Sequence, residues 1–417
     1  MDASTQAQET VPAILLLGGG CWLVMLSALM AFVLSAGCLW LGATFVFWPL
    51  RQMSDAHWTE RARLAYPGWV FLLLGPIILA LISAVGVSGF SGRLAPHMNA
   101  IIVPVTSLAG FLGAGVIGAR IESRVRRRPV TCGDWLRGWT ILILLFFSHF
   151  IFFGIAAAFV FPRRFDGSTV AIIGAAVAVS LAFSLGGSLW LLRRLKLLLP
   201  ASSRLLAIVE QTSGRAGVQP RATFLLRWKT ANALAFPLQR QIAFTDTAVT
   251  LFSDAELSAV CAHELAHLKE PRRVTFARLA GQWLWVPFFA AAPIVRSFGP
   301  LGLLVAMGVV IGCGRLLQKM ARRMEELADA EGRVHEDQSG TYARTLEKLY
   351  EFNLMPAIMR QKRLAHPHLY DRLLAANLTP GYPRPVPPSP WRSRLALILT
   401  GAIALLVIHC LKRLVGL

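Results

Sequence analysis

The chain has 417 residues, of which 55% are hydrophobic and 15% are charged. Because an ordinary soluble domain carries about 25% charged residues, this composition excludes a wholly soluble protein and predicts a polytopic membrane protein. The net charge of +20 is typical of basic cytoplasmic loops, and without a nucleic-acid motif we expect no nucleic-acid partner. The six cysteines form no CxxC pair, which argues against a disulfide framework and a cysteine-rich zinc module.

Apolar segments long enough to cross a bilayer recur along the chain. No charged residue lies between Glu9 and Arg51, which fits either one tilted helix or a tight hairpin. Seven further candidate spans lie near 67–90, 98–118, 138–161, 169–192, 279–295, 297–314 and 395–411. The fold class predicted is a predominantly α-helical membrane protein with about eight transmembrane helices, within a range of about seven to nine.

Basic loops set the expected orientation. Segments 51–66 and 118–137, and the residues from Arg193 onward, are rich in arginine and are separated by pairs of spans. They should therefore lie on one side of the membrane, and the positive-inside rule makes that side cytoplasmic. The alanine- and arginine-rich composition favours a bacterial inner membrane.

Two stretches, 197–278 and 315–394, are not membrane-like. A hairpin of two spans separates them and returns the chain to its starting side, so we predict that they build one cytoplasmic domain. The predicted domain order is an N-terminal multi-span region (1–196), the first part of the domain (197–278), a transmembrane hairpin (279–314), the second part (315–378), a proline-rich linker (379–394) and a C-terminal transmembrane helix (395–417).

Local patterns predict an α+β domain. Residues 201–215 favour a helix, and three short apolar segments favour strands, namely 222–228, 232–236 and 241–246. Ser253 and Glu256 have the spacing of a capping box that opens a further helix. Pro271 marks where that helix should end.

The segment CAHELAHLK, residues 261–269, carries the chemistry of this helix. His263 and His267 are four positions apart and so share one helix face, where two imidazoles can bind one Zn²⁺. In the His-Glu-x-x-His arrangement, Glu264 acts on the attacking water as general base and does not bind the metal. The alternative is a helix whose histidines are merely packed or solvated.

A catalytic zinc ion needs a third protein ligand and an open position for water. The segment RRMEELADAEG, residues 322–332, supplies Glu325 and Asp329 four positions apart. Glu325 can complete a His₂Glu site, and Asp329 can accept the free N–H of a ligand histidine. The alternative for this acidic run is a solvated helix face.

Together, these motifs resemble the integral-membrane zinc metallopeptidase family that includes HtpX-type proteases and CAAX prenyl endopeptidases. Members carry an HExxH helix, a membrane hairpin and an ExxAD helix, which is Glu325-Glu326-Leu327-Ala328-Asp329 here. TANALAFP (230–237) and AHPHLYDRL (365–373) extend the resemblance, which covers roughly 200–375. The resemblance implies a small α+β zincin-like (gluzincin) catalytic domain with one catalytic Zn²⁺.

The resemblance also implies roles for individual residues. His366 would stabilise the oxyanion, and Arg372 would hold its loop or the electrostatics of the site. Asn232 and Ala233 would belong to an edge strand that binds the substrate. Two alternatives stay open, an ordinary loop histidine for His366 and a turn residue for Asn232. Pro237 departs from a glycine frequent in the family, and this chain has more N-terminal spans than HtpX.

The function predicted is a zinc-dependent membrane metalloendopeptidase acting on a protein or peptide substrate, with its catalytic domain facing the cytoplasm. One alternative is a signal-transducing membrane regulator that uses a zinc-peptidase domain. Another is a non-catalytic membrane scaffold. The sequence favours neither, because the external loops are short and every residue type that the site requires is present. It predicts neither the oligomeric state nor the identity of the substrate.

Overall fold

Helices dominate the computed structural model, which describes residues 3–53, 55–94, 99–159, 165–360 and 367–414. The α-helices are α1 (Ala3–Gln52), α2 (Trp58–Leu94), α3 (Asn99–Arg126), α4 (Cys132–Leu142), α5 (Ser148–Phe159), α6 (Gly167–Ala182), α7 (Ser188–Arg194), α8 (Ser203–Ala216), α9 (Asp246–Leu251), α10 (Asp254–Leu268), α11 (Arg272–Gly281), α12 (Val286–Phe289), α13 (Ala291–Val334), α14 (Thr341–Asn353), α15 (Leu369–Ala375) and α16 (Trp391–Leu414).

Contacts divide the chain into two compact units. The first unit comprises Met1–Leu136, Leu354–Pro356 and Pro385–Leu417, and the second comprises Arg137–Asn353 and Ala357–Arg384. This division into compact units does not test the domain boundaries expected from the sequence, which stay a prediction.

The first unit is a helical bundle in which α1 packs against α2, α3 and α16. Its core contains Leu39, Phe71 and Leu79, all of which are fully buried or nearly so. The long uncharged segment at the start of the chain forms one helix, α1, so the tight hairpin is not formed.

Seven helices in the described part of the chain are long and apolar enough to cross a membrane. They contain Cys21–Gln52, Trp58–Val87, Ile101–Arg126, Cys132–Phe153, Gly167–Arg194, Ala291–Val334 and Trp391–Arg413. The number agrees with the prediction of about eight spans, and the fold class is confirmed: a mostly helical membrane protein with a small sheet.

The candidate span 279–295 is not one continuous helix. Its residues are divided among the end of α11, a 3-10 turn at Gln282–Trp285, α12 and the start of α13. Pro287 and Pro293 lie in this segment, and because proline lacks an N–H it interrupts the hydrogen bonds of a helix. Helix α13 is kinked at Gly299, whose φ of 68° favours glycine.

A four-stranded sheet lies in the second unit. Its strands are β1 (Leu198–Pro200), β2 (Ala222–Leu226), β3 (Ala233–Phe236) and β4 (Gln241–Thr245), in the spatial order β1-β2-β4-β3. β2 and β4 are parallel, whereas β3 is antiparallel to β4 and forms one edge of the sheet. The three predicted strands are thus present, each shorter by one or two residues.

Helix α10 lies at the centre of the second unit and contacts α8, β3, α13 and α14. The predicted capping box opens it: Glu256 N–H donates to Ser253 Oγ, and Ser253 N–H donates to the Glu256 carboxylate at 2.8 Å. Leu257, Cys261 and Leu265 on one face are fully buried in the core beneath the sheet. This anchoring leaves another face of α10, with its histidines, directed at α13 and α14.

Candidate metal centre

Two helices from separate parts of the sequence meet at a buried polar cluster. α10 contributes His263 and His267, and α13 contributes Glu325, each with less than a tenth of its surface exposed. One ligand atom from each lies within 4.8 Å of the other two. Residues 58 positions or more apart in the sequence are therefore brought to one point.

The donor atoms in this cluster suit a metal ion. His263 Nε2 lies 3.8 Å from Glu325 Oε2, and His267 Nε2 lies 3.7 Å from Glu325 Oε1. These separations are too long for hydrogen bonds, and they leave room for an ion with ligands at about 2.0–2.1 Å. Two imidazole nitrogens and one carboxylate oxygen are the donor set of a His₂Glu zinc site, so the residues fit that metal.

His263 is oriented by a network of three further side chains. Tyr342 Oη, from α14, lies 2.7 Å from His263 Nδ1 and donates its proton to Asp329 Oδ1 at 2.8 Å. Arg372 donates to the same Asp329 oxygen and, at 2.9 Å, to Tyr342 Oη. Because the single proton of Tyr342 is directed at Asp329, its oxygen accepts from His263 Nδ1–H. The lone pair of His263 is then on Nε2, which faces Glu325.

His267 is oriented by a different partner. Its Nδ1 lies 2.6 Å from Glu270 Oε1, and because an ionised carboxylate only accepts hydrogen bonds, this nitrogen carries the proton. Arg278 contacts the same Glu270 oxygen at 2.9 Å. Burial lowers the pKa of His267, but the hydrogen bond to Glu270 and the nearby charges of Glu264 and Glu325 outweigh burial and raise it overall.

Gly332 explains why Tyr342 can reach this network. It lies on α13 three positions after Asp329, and a Cβ atom added there would be 3.0 Å from the Tyr342 ring. Such a contact is tighter than ordinary packing allows, so a larger residue would displace the ring. Burial raises the pKa of Tyr342 well above its usual value, which keeps the hydroxyl protonated as a donor to Asp329.

The predicted substrate strand lies beside α10 at the edge of the sheet. Ala233 begins β3, and Asn232 immediately precedes it. Asn232 N–H donates to Thr245 Oγ1 at 3.0 Å, and Thr245 N–H donates to Asn232 O at 2.9 Å. These bonds extend the pairing of β3 with β4 by one residue, so Asn232 continues the strand in the described structure.

Three residues of the site were not singled out by sequence reasoning: Tyr342, Glu270 and Asn353. Asn353 fixes the start of the edge strand, because its Nδ2 donates to Ala231 O at 2.7 Å and its Oδ1 accepts from Ala231 N–H at 3.1 Å. Glu270, three positions after His267, was accessible to helix-spacing arguments. Tyr342 and Asn353 were not, because their contacts depend on how α14 packs.

Of the remaining predicted residues, some lie in the buried cluster and one lies outside the described part of the chain. Asp329 and Arg372 are both buried in the network around His263. Glu264 is buried on α10 between the two histidines, and its role as general base stays a prediction. His366 lies outside the described residues. His368, two positions further along the chain, accepts a hydrogen bond from Met359 N–H at 3.2 Å.

A His-Glu-x-x-His helix that shares a buried cluster with a glutamate from a second helix is the arrangement of zincin-type metallopeptidases. Residues 202–380 match the model of peptidase family M48. The chain is 29% identical over 202 residues to a protease HtpX homolog from Acidiphilium cryptum (strain JF-5), a match that covers 43% of this chain and 70% of the relative.

A second protease HtpX homolog, from Desulfatibacillum aliphaticivorans, is 27% identical over 192 residues. That match covers 42% of this chain and 62% of the relative. These similarities confirm the resemblance, seen in the motifs, to the integral-membrane metallopeptidase family that includes HtpX-type proteases.

Proposed function

We propose that this protein is a zinc-dependent membrane endopeptidase in which His263, His267 and Glu325 hold the metal and Glu264 is the general base. The observation that carries the proposal is the convergence of the two Nε2 atoms on the Glu325 carboxylate while both Nδ1 atoms are engaged elsewhere. A bound Zn²⁺ would polarise the scissile carbonyl and lower the pKa of water to about 7.

The side chains of the site perform the proton transfers. Glu264 takes a proton from the attacking water and delivers it to the leaving amine, a role worth about 10²–10⁴ in rate. Tyr342, whose own proton is held by Asp329, keeps the proton of His263 on Nδ1, and Glu270 does the same for His267, so that both rings present a lone pair to the metal. His366 is our candidate for a second donor to the oxyanion, and Arg372 for the residue that holds its surroundings.

The substrate is proposed to bind along β3. As an edge strand, β3 offers backbone groups to an extended peptide, and Asn232 and Ala233 are at the start of this strand, which contacts α10. Backbone pairing tolerates many side chains, so we expect broad specificity for unstructured segments. Asn353 would position this strand through its two hydrogen bonds to Ala231.

We further propose that the two halves of the catalytic domain, 197–278 and 315–378, face the cytoplasm from a bacterial inner membrane. The basic residues that precede the first half support this orientation by the positive-inside rule. Reaction of single engineered cysteines with a membrane-impermeant reagent in intact cells tests it, since residues of the domain should react only after lysis.

The test of the proposed function combines metal content with activity. The full chain is purified in detergent, its zinc is measured by elemental analysis, and cleavage of casein is followed. We expect about one zinc per chain in the wild type. Glu264→Gln should keep the zinc and lose about 10²–10⁴-fold in cleavage rate. Glu325→Ala should lose both the zinc and the activity.

Glu326→Ala is the matched control, because Glu326 is adjacent to Glu325 but exposed and paired with Arg322 at 3.0 Å. It should retain zinc and activity. Cleavage by Glu264→Gln at the wild-type rate, or zinc bound equally well by Glu325→Ala, would contradict the proposal and favour a regulatory or scaffolding role.

A further inference from the structure

A cavity of about 240 Å³ lies among the helices of the first compact unit. The end of α1, the start of α2 and the end of α3 surround it. Five arginines line it, namely Arg51, Arg61, Arg120, Arg124 and Arg127. None of these residues belongs to the metal centre, and the proposed peptidase activity does not use them.

Near this cavity, arginines outnumber the acidic residues that could neutralise them. Segments 51–68 and 117–136 contain eight arginines and four acidic residues. Glu122 pairs with Arg126 at 2.8 Å, and Glu60 pairs with Arg63, neither of which lines the cavity.

Within the described part of the chain, three cavity arginines, Arg51, Arg120 and Arg124, form no ion pair with a carboxylate. Like charges gathered in one concavity repel each other, and a bound anion would offset that repulsion. Guanidinium groups match the oxygens of phosphate through paired hydrogen bonds, which makes phosphate the favoured anion.

The other wall of the cavity is apolar. Trp40, Phe47 and Ile117 line it from within the membrane-spanning parts of α1 and α3. The arginines lie at or near the ends of these spans, which end at Gln52 and Arg126. An occupant must therefore carry a negative group at the depth of the lipid headgroups and apolar atoms toward the bilayer.

We propose that this cavity is a binding site for an anionic phospholipid, with the phosphate of the headgroup held by Arg51, Arg120 and Arg124. The basic ends of transmembrane helices attract anionic headgroups, each cation near the surface contributing about 1 kcal/mol. The cavity distinguishes this site from a general basic surface, because its five arginines line one concave pocket that also has an apolar wall.

The test measures lipid binding by the delipidated full chain in a neutral detergent. The probes are dioctanoyl phosphatidylglycerol, dioctanoyl phosphatidylcholine and inorganic phosphate. We compare the wild type with Arg120→Gln/Arg124→Gln. The control is Arg194→Gln/Arg394→Gln, which removes the same charge from two exposed arginines that do not line the cavity.

Saturable binding of phosphatidylglycerol is expected for the wild type and the control, with at least about a tenfold loss in the cavity variant, since two cation contacts are removed. Phosphatidylcholine and inorganic phosphate should compete weakly. Equal binding by the cavity variant and the control would overturn the site. Inorganic phosphate as effective as the lipid would overturn the lipid assignment and leave a site for a free anion.

Arg120→Lys/Arg124→Lys separates loss of binding from loss of fold. Lysine keeps the charge but not the paired donors, so its affinity should fall between those of the wild type and the glutamine variant. If the glutamine variant does not remain monodisperse, the lysine variant carries the test. Wild-type affinity in a folded lysine variant would contradict the role of paired guanidinium contacts.

Discussion

The cluster around the candidate metal centre and the arginine cavity are both rich in charge, yet they are built in opposite ways. In the metal centre, Arg372 and Asp329 are 7% and 3% exposed and are bonded to each other and to Tyr342. In the cavity, Arg51, Arg120 and Arg124 are exposed and have no carboxylate partner within the described part of the chain.

This difference reflects what each environment allows. A buried charge without a partner costs several kcal/mol, so the metal centre must supply both signs from its own side chains. Charges at the water-facing ends of helices keep much of their hydration and can gather without partners. The paired charges of the buried cluster fix the geometry of a site before a ligand binds. The unpaired arginines of the cavity require a ligand to supply the negative charge.

The largest expected effect comes from breaking the closed cluster. Arg372→Met leaves the buried Asp329 carboxylate without its cationic partner and should lower the free energy of unfolding by about 3–5 kcal/mol. The measurement is unfolding in denaturant followed by tryptophan fluorescence.

The control for this variant is Arg384→Met, which breaks a 2.7 Å ion pair with Asp371 between side chains that are 52% and 44% exposed. That loss should be about 0–1 kcal/mol, because exposed pairs are screened by solvent. Equal losses for the two variants would mean that the cluster around Asp329 is not closed as described.

Removing the hydroxyl oxygen of Tyr342 tests whether the cluster around His263 contributes to zinc affinity. Tyr342→Phe keeps the ring but removes the acceptor for His263 Nδ1–H, so zinc affinity should fall by about 10–100-fold. Competition with a chromogenic chelator measures the affinity. Tyr370→Phe, on α15 outside the cluster, should leave it unchanged, and an unchanged affinity in Tyr342→Phe would show that His263 is oriented by Asp329 alone.

The start of the edge strand β3 is held by hydrogen bonds from the side chain of Asn353. Asn353→Ala leaves the buried N–H and C=O of Ala231 unsatisfied, which should cost about 1–3 kcal/mol. Because β3 would be less well positioned, KM for casein should rise while the zinc content stays at one per chain. Glu351→Ala, an exposed change on the same helix, serves as the control. If Asn353→Ala is destabilised but keeps a normal KM, the contact between Asn353 and Ala231 does not contribute to substrate binding.

The smallest effect is expected at the arginine cavity. In detergent without anionic lipid, Arg120→Gln/Arg124→Gln should change the free energy of unfolding by no more than about 0.5 kcal/mol, since exposed and unpaired charges are lost. Added phosphatidylglycerol should raise the Tm of the wild type and not that of the variant. A large loss of stability without lipid would show that these arginines have partners within the protein.

The sequence by itself determined the elements that depend on local pattern. Apolar length identified every candidate membrane span except 279–295, the spacing of Ser253 and Glu256 identified the start of α10, and the four-residue spacing placed His263 and His267 on one face. These properties follow from the period of a helix and the thickness of a bilayer, neither of which needs knowledge of distant contacts.

Only the tertiary structure decided which distant residues meet. The packing of α14 against α10 and α13 brings Tyr342 to His263, and the close approach at Gly332 makes room for its ring. The break of the 279–295 segment and the cavity shared by arginines of three helices likewise depend on packing. A single sequence does not reveal such contacts, because they join residues whose separation along the chain has no fixed relation to their separation in space.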